Sequence, residues 1–281
     1  MSRTVRAVTA LAAVALLAAC GSSTGAGGGS NSPSSPTASG SSTSASTTLP
    51  SSESGSAATG TLNVFAAASL KEAFTALGAR FQAAHPGTKV VFNFGPSSGL
   101  AASITEGAPA DVFASASPKN MAQVVSAGAA SAPVNFASNV MEVAVPPDNP
   151  ARITSLADLA KPGVKVALCQ AAVPCGATAE KVLVNAKLTV RPVTREVDVK
   201  SVLAKVTLGE VDAGVVYVTD VKAAGAKVRS IEIPASVNAR TEYPIAALAK
   251  APNAALARAF TAYVVSSAGG SALAAAGFGK P

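Results

Sequence analysis

Between Leu62 and Ile233 the hydrophobic pattern switches repeatedly between the strand period of two and the helical period of 3.6, and few folds accept that alternation. The apolar runs Leu62–Ala66, Lys89–Phe94, Asp111–Ala114, Val164–Leu168, Ala213–Val218 and Val228–Ile233 read as short buried strands. Amphipathic stretches lie between several of them: Leu70–Ala84, Leu100–Glu106, Lys119–Ala127, Ala177–Ala186 and Lys200–Leu208. Brief apolar strands alternating with helices predict an α/β architecture with parallel sheets. Asn139–Val145 and Tyr243–Lys250 read as further strands, each placed to cross between lobes. Two helices, near 253–266 and 270–276, close the chain, and no repeat of solenoid length is visible.

The first 60 residues stand apart from this pattern. Arg3 and Arg6 precede an apolar stretch, Ala7–Ala19, that is too short to span a bilayer. It ends Leu17-Ala18-Ala19-Cys20-Gly21, which resembles the lipobox of bacterial lipoproteins, whose cysteine becomes the acylated first residue after cleavage. Residues 1–20 are therefore expected to be a lipoprotein signal peptide with Cys20 as lipid anchor; an ordinary secretory leader is the alternative. Residues 21–60 are almost entirely Ser, Thr, Gly, Ala and Pro, with Glu53 as their one charge. Such a segment buries too little apolar surface to offset its chain entropy, so a disordered tether is expected, with a reach of roughly 35 Å. The net charge of +7 is scattered rather than clustered, and the chain has no tryptophan. That reads as a solvated surface, not a nucleic-acid face.

In open α/β sheets ligands sit beyond the carboxyl ends of strands, so the strand-to-helix junctions carry the functional information. The first is Ala66-Ala67-Ala68-Ser69, where Ser69 with Glu72 also matches a capping box. The second, Gly95-Pro96-Ser97-Ser98-Gly99, matches the nucleophile elbow G-x-S-x-G. A hydrolase triad places its histidine after the serine, however, and the one histidine, His85, precedes Ser97 at an expected helix end. Without a base the hydroxyl is a weak nucleophile. At the third junction Cys169 and Cys175 have neither redox nor zinc-ligand spacing; a local disulfide is the expectation for an exported domain, which sequence alone leaves open. At the fourth, Asp198-Val199 opens a helix and Tyr217 ends a strand. These junctions offer hydroxyls and helix N-termini, with no carboxylate pair, metal-ligand cluster or base. Neutral donors suit a fully deprotonated oxyanion, whose oxygens only accept hydrogen bonds. The alanines let it approach the backbone.

The same residues resemble the molybdate-binding proteins of bacterial ABC importers. The matching motifs are Phe65-Ala66-Ala67-Ala68-Ser69-Leu70, then Gly107-Ala108-Pro109-Ala110-Asp111-Val112-Phe113, Val173-Pro174-Cys175-Gly176, Gly214-Val215-Val216-Tyr217 and Glu242-Tyr243-Pro244. They run in order through residues 61–281. The resemblance implies a two-lobe type II periplasmic-binding-protein fold with a ligand cleft between lobes. Lobe I is expected at 61–140 plus 234–281, and lobe II at 141–233. It further implies a tetrahedral oxyanion, molybdate or tungstate, held by the hydroxyl and amide of Ser69, the same groups of Ser97, the amides of Cys175 and Val199, and the hydroxyl of Tyr217. Pro96 stands where the family has a serine, so Ser98 is a second-rank ligand. No cofactor, no cationic metal and no catalysis are implied; the expected partner is a membrane permease and the expected state a monomer. Three alternatives remain: the same fold carrying sulfate or another oxyanion, a serine hydrolase using Ser97, and a tethered surface protein without a small ligand.

Overall fold

The computed structural model describes residues 59–281; Cys20, the leader and the tether up to Ala58 lie outside the described residues. Strand β1 (Gly60–Ala67) leads through a 3-10 turn (Ala68–Leu70) into α1 (Lys71–Ala84). β2 (Thr88–Gly95) precedes α2 (Ser97–Thr105), and β3 (Val112–Ala114) precedes α3 (Pro118–Ser126). The long strand β4 (Val134–Val145) is followed by β5 (Val166–Cys169), α4 (Pro174–Asn185), β6 (Thr194–Glu196) and α5 (Val199–Thr207). β7 (Ala213–Tyr217) runs directly into α6 (Val218–Ala224); β8 (Arg229–Ile231), β9 (Arg240–Ala247), α7 (Ala254–Val265) and α8 (Ser267–Ala275) complete the chain.

The strands form one continuous path, β2-β1-β3-β9-β4-β7-β5-β6, with β8 beside β4. β4 is shared by two sheets. Its first part, Val134–Val140, pairs with β9, and from Met141 onward it pairs with β7 and β8. One lobe is thus built on β2-β1-β3-β9 and the other on β7-β5-β6, with β4 passing from the first to the second. The expectation of parallel sheets holds only inside each lobe, where β1 pairs with β2 and β3, and β5 with β6 and β7. Every pairing of β4 or β9 is antiparallel. The reason is topological: β4 leaves the first lobe and β9 returns to it, so the two crossing strands must run in opposite directions.

Three elements differ from expectation. β6 was not expected, because Thr194, Arg195 and Glu196 lack an apolar alternation. Val218 begins a helix rather than ending a strand, and α6 follows without a loop because Asp220 accepts the Tyr217 N–H (3.2 Å). β4 starts at Val134, five residues before the expected Asn139, across a register shift between Asn135 and Ala137.

The lobes have different cores. The first packs Phe74, Phe81, Phe136, Tyr243 and Phe260 with Leu62, Val64 and Leu77, all fully or nearly buried. Its rings meet edge-on, as in Phe81 against Phe260 at 5.2 Å between centroids. Each buried ring contributes roughly 2–3 kcal/mol through the apolar surface removed from water. The second lobe is filled by Val143, Val166, Val182, Val202, Val206 and Val215. Tyr217 is the one aromatic residue between Met141 and Ile233. A buried carboxylate ties the first lobe together: Asp111 accepts the Asn63 N–H at 2.7 Å and the Asn253 N–H at 2.6 Å, fixing β1 to the start of α7.

Candidate functional site

Four strand-to-helix junctions, two from each lobe, and the C-terminal end of β7 meet at one small cavity of about 20 Å³. On the first lobe its wall is Ala67, Ala68 and Ser69 at the end of β1, Gly95, Pro96 and Ser97 between β2 and α2, and Ala116 after β3. On the second it is Val173, Pro174 and Cys175 at α4, Asp198 and Val199 at α5, and Tyr217. Ser69, Ser97, Cys175, Val199 and Tyr217 thus share a single wall, whereas Ser98 is not part of it. A water needs on the order of 15 Å³ of such space, so the guest is compact.

Each donor is presented for a local reason. The first N–H groups of a helix have no intrahelical acceptor. In α2 the first helical bond is made by Leu100 to Pro96 O, which leaves the Ser97 amide free. In α4 that bond runs from Ala177 to Val173 O; Pro174, at the first helical position, has no N–H, so the Cys175 amide leads. In α5 Asp198 caps the helix by accepting the Ser201 N–H at 2.9 Å, which leaves the Val199 amide unclaimed. The macrodipoles of these helices place partial positive charge at the cavity. Cys169 and Cys175 form a disulfide that ties β5 to the first turn of α4. Gly176 completes that turn: a Cβ there would lie 1.9 Å from Gln170 O, so only glycine allows the helix start to sit this close to β5.

The hydroxyls have distinct partners. Ser97 Oγ accepts the Ala116 N–H at 3.0 Å, which directs its own proton away from that bond. Ser69 Oγ lies 2.9 Å from the Tyr243 hydroxyl, a residue fully buried on β9. The capping box expected for Ser69 and Glu72 is absent, because Ser69 pairs with Tyr243 instead and Glu72 reaches Lys200 Nζ (2.7 Å). Tyr217 is 1 % exposed, and its hydroxyl has no hydrogen-bond partner of normal geometry. Its polar neighbours are the hydroxyls of Thr178 and Tyr243. Burial pushes the Tyr217 phenol far above its usual range, so it remains a proton donor at every physiological pH. A buried donor without an acceptor carries a desolvation cost that an incoming acceptor relieves. The donor set therefore fits an oxyanion.

The one acidic residue in the wall is Asp198, whose charge opposes an anionic guest and leaves attraction to the N–H and O–H groups. Lys200, beside Val199, does not line the cavity; it is held by Asp220 Oδ1 at 2.8 Å and Glu72 Oε2 at 2.7 Å. Burial raises the Asp220 pKa to about 6 despite the opposing pull of Lys200. For Lys200 burial acts downward, but the charge of Asp220 and hydrogen bonds to Asp220 and Glu72 outweigh it and raise the pKa. Sequence reasoning missed Tyr243 as part of the site and missed this ion-paired group, since Tyr243 meets Ser69, and Glu72 meets Lys200, only across a large separation in the chain. Among the described residues no cluster of His, Cys, Asp and Glu could hold a metal ion.

Residues 62–279 match the family described as bacterial extracellular solute-binding proteins. The chain belongs to that family. This solute-binding protein is 44% identical to the molybdate-binding protein ModA of Mycobacterium tuberculosis over 219 residues, 78% of this chain and 84% of that one. The periplasmic molybdate-binding protein of Azotobacter vinelandii shares the fold with a TM-score of 0.71 at 22% identity, covering 78% of this chain and 99% of that one. The sulfate-binding protein SubI of Mycobacterium tuberculosis also shares the fold, with a TM-score of 0.65 at 20% identity, over 78% of this chain and 86% of that one. The family description is of solute binding. His85 Nδ1 lies 2.9 Å from Phe81 O and its ring stacks on Phe81, so it serves the end of α1 and gives Ser97 no base. The nucleophile elbow is a formal match only.

Proposed function

We propose that this solute-binding protein captures molybdate, with tungstate as a near-equivalent ligand, between its two lobes and delivers it to an ABC permease. The observation that carries the reading is the buried Tyr217 hydroxyl, without a hydrogen bond of normal geometry, at a cavity whose other donors are helix-first-turn amides and serine hydroxyls. The 44% identity to a molybdate-binding relative supports the same ligand. In this reading the hydroxyl and amide of Ser69 and of Ser97 grip the oxyanion from the first lobe. The amides of Cys175 and Val199 and the Tyr217 hydroxyl grip it from the second. A dianion offers only acceptors, so charge-assisted bonds form without any positive side chain. Because both lobes contribute, the ligand stabilises the closed arrangement, and that arrangement is what the permease reads. Export and a lipid anchor at Cys20 belong to the same proposal: they would hold a monomer near the permease.

Titration calorimetry with molybdate, tungstate, sulfate and phosphate tests it. Molybdate and tungstate are expected to bind with similar affinity and far more tightly than sulfate. Sulfate binding as tightly as molybdate would overturn the choice of ligand, because the cavity would then not select by size.

A further inference from the structure

Lys200 occupies a place that helix electrostatics disfavour. It is the second residue of α5, where the macrodipole repels a cation, and yet its ammonium is mostly buried, with its side chain 20 % exposed. The carboxylates around it supply the reason. Asp220, fully buried at the start of α6, holds it from the same lobe. Glu72, half-exposed in the first turn of α1, reaches it from the other lobe. The other ion pairs among the described residues stay within a lobe or within one strand: Lys161 with Asp158, Arg195 with Glu180, Lys205 with Glu210, and Arg240 with Glu242. Glu72–Lys200 is therefore the one ion pair among the described residues that spans the cleft. It lies next to the amide of Val199 and three residues from Ser69, one donor from each side of the cavity.

We propose that Lys200 is a positioning residue that clasps the lobes shut: anchored to Asp220, it releases Glu72 when the cleft opens, and so it slows the escape of the bound oxyanion. This rests on the anion-binding reading above. Opening separates α1 from α5 and must break the Glu72 contact, while the buried Asp220 contact travels intact with the second lobe. The clasp acts on departure, because the pair exists only in the closed form. Lys200 also neutralises one of two carboxylates near the cavity, without which Asp220 and Glu72 would both repel an entering dianion.

The test is Glu72→Gln in the full chain, which breaks the interlobe half and leaves Lys200–Asp220 in place. With molybdate as probe in stopped-flow measurements, dissociation is expected to accelerate about 2- to 5-fold, the range for a half-exposed pair, with association changed less than about 2-fold. Raising the salt should accelerate wild-type dissociation and leave the variant nearly unaffected, because the screened pair is already gone. A structural role alone would not produce that salt signature. Wild-type dissociation rate and salt response in Glu72→Gln would overturn the clasp. If wild-type protein binds no molybdate, the ligand reading fails, and the clasp is judged separately by small-angle scattering of the ligand-free chain. A larger radius of gyration in Glu72→Gln than in wild type supports it; identical scattering refutes it.

Discussion

Tyr217→Phe separates two roles that a buried tyrosine can play. The ring is packed edge-on against Tyr243 at 6.3 Å between centroids, and phenylalanine keeps that contact. What leaves is a hydroxyl that is buried and lacks a hydrogen-bond partner of normal geometry. Such a group costs about 1–3 kcal/mol, so its removal should stabilise the empty protein by up to that amount. The nearby Thr178 and Tyr243 hydroxyls offset part of the cost, which points to the lower end. At this size 1 kcal/mol corresponds to about 2–4 °C in melting temperature. Binding should move the other way. A hydrogen bond to a charged acceptor contributes about 1.5–3 kcal/mol, which weakens molybdate affinity roughly 10- to 150-fold. Differential scanning calorimetry of the empty protein and titration calorimetry with molybdate read the two effects independently. Opposite signs are expected: a melting temperature equal to or above wild type, with a weakened Kd. A lower melting temperature together with unchanged affinity would show that the hydroxyl supports the fold and not the ligand, and the donor argument would fall.

Two further outcomes follow from the same geometry. Gly176→Ala places a methyl group against Gln170 O and must displace the start of α4; a loss of about 1–3 kcal/mol in stability is expected, with weaker molybdate binding through the shifted Cys175 amide, read by chemical denaturation and calorimetry. Asp220 gives a pH signature. Its folded pKa of about 6 exceeds the unfolded value near 4, so the folded state binds more protons between those values, and the contribution of this group to stability falls as pH rises from about 4 to 6. The charged and titratable groups facing it are Lys200, Glu72 and the Tyr217 hydroxyl. Asp220→Asn should remove this slope from the stability profile, and a variant with the wild-type slope would place the titration elsewhere.

The parts of the molecule that could be read from sequence are those in which cause and effect lie close along the chain. Ser69, Ser97, Cys175 and Val199 each stand in the first turn of a helix after a strand, and Tyr217 ends a buried strand; local pattern singled out these junctions, the family resemblance supplied the five residues as a ligand set, and the structure brings all five to one cavity. Tyr217 carried a stronger signal than its position: it is the single aromatic residue in a lobe otherwise packed with valine and alanine. Glu72 shows the opposite case. Its spacing from Ser69 satisfies a local capping rule, but in the fold it is drawn to a lysine 128 residues away. Tyr243 likewise meets Ser69 across 174 residues, and no periodicity announces a hydroxyl pair at that distance.

The residues that could not be read share a further property: they act between elements rather than within one. A capping box and an interlobe ion pair compete for the same glutamate, and the winner is decided by burial. Lys200 is mostly desolvated beside a fully buried Asp220, and Glu72 reaches its ammonium from the opposite lobe at 2.7 Å. A cap on α1 would yield about 1 kcal/mol within a single helix. The contact with Lys200 compensates a buried cation and joins two lobes. The sequence shows the choice open to Glu72; the fold takes the one that joins the two lobes.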